Sequence, residues 1–489
     1  MPAPVESLAT VVDRFGDLKL LVVGDAILDV WMSGRASRLC REAPVPVVSL
    51  DDHLEVPGGA ANAAVNAAGL GARVSMLSVV GGDRAGATLR DRLRAAGVDV
   101  GGLVVQPSRG TLVKRRVLAD GQLLVRLDEG AEAPLRGRAA KRLADRLAES
   151  FAGHDAVLVS DYAAGTVGPG LVAALGRLQA AAPRVVVVDA KDPAAYRGVG
   201  ATAVKPNYEE ATRLLGLDRV EGTNRRVEQL ERVGQRIVSV LGAQVAAVTL
   251  DAEGALLFEA GAPPYRTYAH PVPASRATGA GDAFASVLAL ALAAGCQVPA
   301  AGELASAAAT VAVGQAGTAV CAHAALRTAV AGDRGRVTDL EGLCARVERY
   351  RREGRRVVFT NGCFDLLHRG HVAHLNQAKA LGDVLIVAVN ADPSVRRLKG
   401  PGRPVNGLAD RMAVLAALSC IDHLVAFQDD SPAELLRVVR PDVLVKGGDY
   451  QRDGVPEGPL VEALGGRVEI LPYLPNQSTS AMIRRIRAG

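Results

Sequence analysis

The sequence holds only six cysteines in 489 residues, at 40, 296, 321, 344, 363 and 420, and none of them forms a CxxC pair. That scatter argues against a zinc ribbon and against a disulfide framework, and points to reduced thiols in a cytoplasmic protein. Lysine is nearly as scarce, with eight residues against 49 arginines and a net charge of only +5. No long Lys/Arg block marks a nucleic-acid-binding arm, and the arginine excess reads as a GC-rich coding bias. No Gly-Lys pair occurs anywhere, so a Walker-type phosphate loop is absent. The N-terminus, MPAPVESLATVVDRFGDLKL, carries acids and lacks an apolar core ahead of a cleavage site, so it does not read as a signal peptide.

Charge is missing from two further stretches, 283–302 and 304–326. Each is long enough to span a bilayer. Both are rich in Ala, Gly, Ser and Thr and are interrupted by Gly, Gln or Pro, so the expectation is buried helices and no membrane partner. What remains is globular: 49% apolar and 22% charged residues, in a length that implies two or three domains.

β-Branched runs at 19–28, 156–162, 184–190 and 245–258 alternate with helical stretches such as 137–151 and 225–241. That order predicts β/α units around a mostly parallel sheet. The polar segment 326–338 reads as a linker, after which the pattern restarts with strands at 355–362, 383–392, 441–450 and 466–475. The expected organisation is a first α/β domain over 1–328, a linker and leading helix over 329–350, and a second α/β domain over 351–489.

In the first domain, ATGAGDAFAS (277–286) places Gly279, Ala280 and Gly281 ahead of Asp282 and an Ala-rich helix. Backbone N–H groups at such a helix mouth can hold a phosphate, and a neighbouring acid can take a proton from an attacking hydroxyl. A glycine turn with an ordinary N-cap Asp fits the same residues equally well. Elsewhere Gly58 and Gly59 precede Asn62 at another helix start, Asp25 ends a strand, and Asn207 and Glu210 follow a strand. Glycine allows close approach to a ligand, and Asn and Asp can bind sugar hydroxyls.

Together these motifs resemble the ribokinase-like family of sugar kinases. The resemblance implies Asp282 as general base and Gly279, Ala280 and Gly281 as the anion hole. It places Asn207, Tyr208, Glu209 and Glu210 at Mg-ATP, and Asp25, Gly58, Gly59 and Asn62 in the sugar pocket. One position departs: such kinases carry Asp two residues before Thr278, where this chain has Arg276. Its guanidinium could replace a monovalent cation beside the anion hole. A solvent-facing Arg276 and a crippled kinase are the alternatives.

In the second domain, TNGCFDLLHRGH (360–371) sets His368 and His371 three residues apart on one helix face. Zinc helices commonly use an i, i+4 pair with a Glu between, and no third ligand is evident. Arg369-Gly370 argues against deep burial of the pair. Donors at a helix N-terminus aimed at nucleotide phosphates are the remaining reading. The stretch resembles the HxGH nucleotidyltransferase superfamily, whose motif follows Gly-x-Phe-Asp. That resemblance implies His368, His371 and Lys399 in catalysis. Asn361, Gly362, Phe364, Asp365, Arg403, Arg411, Lys446, Gly447, Asp449, Ser478 and Thr479 are then nucleotide-binding.

The pairing of a ribokinase-like α/β domain with a Rossmann-like nucleotidyltransferase α/β domain resembles the family of bifunctional heptose-7-phosphate kinase/heptose-1-phosphate adenylyltransferases. It implies ATP and heptose phosphates as substrates, Mg²⁺ with the ATP and no organic cofactor. No direct protein ligand is assigned to the metal. Arg38, Glu42, Lys114, Arg116, Asp161 and Lys191 become candidates for the 7-phosphate and the hydroxyls. A homodimer through the first domain is expected from the same resemblance. The alternatives are another sugar phosphate or nucleotide, or a kinase half turned into a ligand-sensing or dimerising module.

Overall fold

The computed structural model describes residues 8–130, 132–269, 278–313, 318–331, 340–447 and 455–471. The chain divides into two compact units, with the boundary between Arg327 and Thr328.

The first unit is built on an eight-stranded sheet. Its strand order is Tyr265–Thr267, Ala255–Glu259, Val245–Thr249, Ala203–Val204, Val185–Ala190, Ala156–Asp161, Lys19–Gly24, Arg73–Leu77. The last six are mutually parallel. Their near-continuous apolar runs follow from burial on both faces, as helices cover each side of a parallel sheet. Val23, Val157, Val186, Val188 and Phe258 form part of one core with Leu147 and Phe151 of the helix Gly137–Phe151. The uncharged runs become the helices Ala280–Ala293 and Val298–Val313, largely buried in this unit. No helix among the described residues is long and apolar enough to cross a membrane.

Several boundaries differ from the sequence expectation. The run 245–258 is a hairpin, turned at Asp251 and Gly254, both at positive φ. The helix expected over 225–241 is interrupted at Gly234 into Thr223–Val233 and Arg236–Leu241. The start of the expected linker lies in the helix His323–Val330, and 332–339 fall outside the described residues. The run 19–28 is two strands: the chain breaks at Asp25, and Ala26–Leu39 enters a second sheet.

That second sheet was not expected. Its four strands run in the order Pro46–Gly59, Ala26–Leu39, Leu112–Ala119, Gln122–Glu129. It escapes a periodicity reading because much of it faces water. Leu50, Leu54, Leu123, Val125 and Leu127 are all exposed, so the alternation of a half-buried strand is blurred.

The second unit has a five-stranded parallel sheet in the order His423–Phe427, Val384–Asn390, Val357–Gly362, Val443–Gly447, Arg467–Leu471. Phe359, Ile386, Val425, Leu436, Leu444 and Val461 fill its core. The central strand carries the second glycine motif at its C-terminal end, where parallel α/β sheets collect their ligands. Phe359 is fully buried on that strand. Replacing Phe359 with Ala is expected to destabilise the second unit by about 3–5 kcal/mol. Amide hydrogen exchange should then accelerate in 357–362 and stay unchanged in 156–161.

Candidate active sites

In the first unit two glycines let polar side chains come together. Gly279 caps the helix Ala280–Ala293 at φ +102°, and a Cβ there would lie 2.4 Å from Asn62 Nδ2. Asn62 uses that space to donate to Asp282 Oδ2 at 2.8 Å, while the Tyr162 hydroxyl donates to Oδ1 at 2.7 Å. Asp282 is almost wholly buried. Burial pushes its carboxyl up to about 7, against the pull of the two donors. A carboxylate poised near neutrality is suited to general-base work. Beneath the loop lies Lys205, whose Nζ would be 3.7 Å from a Cβ on Gly281 and is 3.1 Å from Asp189 Oδ1. Burial alone would lower the Lys205 ammonium, but Asp189, then Glu210 and Asp282, hold it above its usual value.

The second glycine pair works in the same way. A Cβ on Gly58 would lie 2.4 Å from Asp29 Oδ2, and Gly59 starts the helix Ala60–Gly69 at φ +57°. Asp29 takes Arg116 at 2.7 Å and the Thr318 hydroxyl at 3.1 Å, and Trp31 Nε1 donates to the same hydroxyl. Arg116 stacks 4.7 Å from the Trp31 ring, and Lys114 sits 5.5 Å over the Tyr162 ring. Lys114, Arg116, Gly58, Gly59 and Asn62 therefore gather around Asp29 and Tyr162.

Other candidates are placed differently. Asp25 is fully buried and accepts the N–H groups of Tyr162, Ala164 and Thr166, so it shapes that turn and does not face a sugar. Asp161 accepts from Tyr196 and from the Ala163 N–H. Arg38 and Glu42 are exposed at the far end of the hairpin. Arg38 is nine positions along its strand from Asp29, roughly 30 Å of extended backbone, so it does not share the Asp29 pocket. Lys191 pairs with Glu210 at 2.9 Å. Asn207 and Glu210 form a reciprocal capping box on the helix Tyr208–Leu215. Tyr208 is a correction: its ring is buried in the core and its hydroxyl bonds Gln229, so it cannot face a nucleotide. Glu209 is exposed, 3.5 Å from Arg219. Arg276 lies outside the described residues.

In the second unit, His368 caps the helix Arg369–Ala380, its Nδ1 accepting the Gly370 N–H at 3.1 Å. That bond leaves Nε2 as the donor of a neutral ring. The His368 and His371 rings stack at 3.8 Å, with Phe364 edge-on to His371. Burial drives His371 down to about 3, helped by His368 and His374, and lowers His368 as well. At neutral pH both rings are neutral and carry N–H donors, not positive charge. Phe364 sits at φ +47°, and its ring is 3.0 Å from where a Gly362 Cβ would be, so a side chain at 362 would crowd that ring.

Two cations expected at the nucleotide make bonds within the protein. Arg411 has a fully buried side chain and donates to the carbonyls of Asn406, Cys363 and Asn390 and to Asp392. It braces the strand ends, which corrects its reading as a nucleotide contact. Arg403 is paired with Asp365, which also accepts the Val405 and Asn406 N–H groups. These bonds tie down the loop 400–406, with Arg403 engaged through Nε. Lys446 bonds Asn361 at 2.8 Å and Glu457 at 3.0 Å, and Gly447 ends that strand. Lys399 is exposed at the end of the helix Asp392–Lys399, near enough to Cys363 to oppose the rise that burial gives its thiol. Asp449, Ser478 and Thr479 lie outside the described residues.

Sequence reasoning missed Asp29, Trp31, Tyr162, Asp189, Lys205 and Thr318 in the first unit, and Asn390 and Glu457 in the second. Lys205 and Tyr162 stand two and one positions from the site candidates Asn207 and Asp161. The others are joined only by folding.

His423 is buried, His371 and His374 are partly buried, and desolvation lowers His371, His374 and His423 to about 3, 4 and 4. Between these values and the ordinary 6.5 the unfolded chain binds more protons than the folded one. Stability of the second unit is therefore expected to fall as pH drops from 6.5 toward 4, measured by denaturant melts followed by strand-specific hydrogen exchange. Replacing His423 by Gln should flatten part of that slope.

Comparison with known proteins agrees with this division. The pfkB family carbohydrate kinase model matches residues 17–325, and the cytidylyltransferase-like model matches 359–483. The bifunctional protein HldE of Pseudomonas aeruginosa is 43% identical over 484 residues, covering 97% of this chain and 98% of that protein. HldE of Geobacter sulfurreducens is 40% identical, with 96% of each chain covered. Among solved structures, Escherichia coli phosphofructokinase-2 in complex with potassium matches with a TM-score of 0.53 at 20% identity. It covers 64% of this chain and 97% of its own, a likeness of fold alone.

Proposed function

The chain belongs to the HldE family of bifunctional proteins, as a heptose kinase joined to an adenylyltransferase of ADP-heptose biosynthesis, and from that premise we propose how its two sites divide the work. The first unit phosphorylates O1 of D-glycero-D-manno-heptose 7-phosphate. Asp282 takes the O1 proton as the O1–P bond forms and the bond from the γ-phosphorus to ADP breaks. The N–H groups of Gly279, Ala280 and Gly281 receive the transferring phosphoryl, with Lys205 as a fixed charge beneath them. Asp29, Asn62, Lys114 and Arg116 hold the sugar. The observation carrying this reading is the buried Asp282 between Asn62 and Tyr162, at the mouth of a helix that begins with glycines.

After a phosphatase removes the 7-phosphate, the second unit joins heptose 1-phosphate to AMP. A sugar phosphate oxygen attacks the α-phosphorus of ATP, and pyrophosphate leaves. His368 and His371 supply neutral N–H donors to the phosphates, and Lys399 supplies a mobile positive charge.

Mg²⁺ enters with ATP. Among the described residues no group of three or more His, Cys, Asp or Glu could hold a metal by itself. The oxygen donors suited to a hard cation are the phosphates, with Glu210 as the neighbouring carboxylate in the first unit. When bound, the ion offsets phosphate charge. A cytoplasmic homodimer fits the reduced thiols and the apolar side chains of Leu123, Val125 and Leu127, which alternate along one exposed strand.

The chain mixed with ATP, Mg²⁺ and heptose 7-phosphate should yield a sugar bisphosphate by mass; with heptose 1-phosphate it should yield ADP-heptose. Asp282→Asn should cut the first activity by about 10²–10⁴-fold and leave the second intact. His371→Ala should do the reverse. Nucleotide binding without turnover in the first unit would instead identify a sensor module. Val125→Glu should shift sedimentation from dimer to monomer; an unchanged profile would place the interface elsewhere.

A further inference from the structure

We propose that Tyr162 is a positioning residue for the kinase base, its hydroxyl fixing which lone pair of Asp282 is free to receive the sugar proton. The inference rests on the assignment of Asp282 as that base. Each Asp282 oxygen takes one donor, Tyr162 on Oδ1 and Asn62 on Oδ2. Two donors in different directions stop the carboxylate from rotating and leave one defined acceptor site on each oxygen. The attacking hydroxyl can then join Tyr162 on Oδ1 without displacing it.

The turn that delivers Tyr162 is held with more bonds than a surface loop needs. Asp25, buried, gathers the N–H groups of Tyr162, Ala164 and Thr166 within 3.1 Å. Asp161 takes the N–H of Ala163, which is forced to φ +59° although it is not glycine. Strain of this kind persists only where surrounding bonds impose it, and it concentrates at functional sites. Here the strained residue directly follows Tyr162, and the result is a hydroxyl 2.7 Å from the base.

In the proton transfer, O1 gives its proton to Asp282 as the new O–P bond forms, and Tyr162 keeps its own. Burial first, and then Asp282, keep the phenol well above its usual value, so it remains a donor throughout. A donor to the ionised carboxylate favours the charged form. Removing it leaves Asp282 more basic, against the same surroundings of Asn62, Lys205 and Asp189, with Lys114 over the ring and Asp29 nearby.

The test is Tyr162→Phe in the full chain, with kcat/KM for heptose 7-phosphate followed from about pH 5.5 to 9. The acid limb should move up by roughly half to one unit relative to the unchanged chain. The plateau kcat should fall by about tenfold or less while KM holds. The phosphates of both substrates titrate in the same range but identically for both proteins, so the difference reports the enzyme. Tyr162→Leu, which also lacks the ring, should move the limb by the same amount, and melting curves separate that effect from lost stability. A limb that coincides with that of the unchanged chain, or a loss carried by KM alone, overturns the proposal. An unchanged chain that forms no sugar bisphosphate, or an Asp282→Asn variant as active as it, would sink the base assignment itself.

Discussion

The first site depends on the approach of Asn62 to the mouth of the helix Ala280–Ala293, which is possible only because residue 279 has no side chain. A Cβ there would sit 2.4 Å from Asn62 Nδ2. That contact would push Asn62 off Asp282 and open the buried carboxylate to one-sided bonding. Asn66 extends the same arrangement, donating to the Asn62 side chain and to the Ala319 carbonyl. The glycine loop thus does two jobs, leaving backbone N–H groups at the helix mouth and admitting the amide that holds Asp282. The second unit solves its own turn comparably, with Gly362 making room for the Phe364 ring that packs on His371.

Burial tunes the two sites in opposite senses by one mechanism. Withdrawing water disfavours charge. For Asp282 that raises the carboxyl to about 7, into the range of a base at work. For His371 it lowers the imidazole to about 3 and leaves a neutral donor. A proton acceptor suits transfer to a sugar hydroxyl. Transfer to a sugar phosphate, whose nucleophile is already ionised, needs no base but does need donors to a phosphorus gathering negative charge. The difference in chemistry follows from which titratable group is buried at the helix mouth.

Much of this was legible in the order of residues, because glycine-rich strand-to-helix turns are local. Gly279 to Asp282, Gly58 to Asn62 and Gly362 to His371 are each contiguous, and the apolar strands before them are unmistakable on a buried parallel sheet. What escaped was non-local. Asp29 meets Arg116 across 87 positions and Thr318 across 289, and the sheet that carries Asp29 is too exposed to show a period. Residue type also misled where a charged side chain serves the fold: Arg411, read as nucleotide-binding, spends its donors on three carbonyls and a carboxylate. Tyr208 stood in a functional motif but faces the core, as the side chains flanking a capping box alternate between surface and interior.

The cations show how such misreadings arise in this chain. With 49 arginines and eight lysines, arginine is the general-purpose positive charge, and its planar fork suits multi-carbonyl bracing of the kind Arg411 and Arg109 provide. A lysine kept against that bias is more informative. Lys114 lies over Tyr162, Lys191 and Lys205 bracket Glu210 and Asp189, and Lys446 joins Asn361 to Glu457. Lys205 is almost wholly buried and pairs with Asp189 at 3.1 Å. A compact ammonium on a slim stem makes that pair with little bulk, whereas a guanidinium would add two further nitrogens to a buried space.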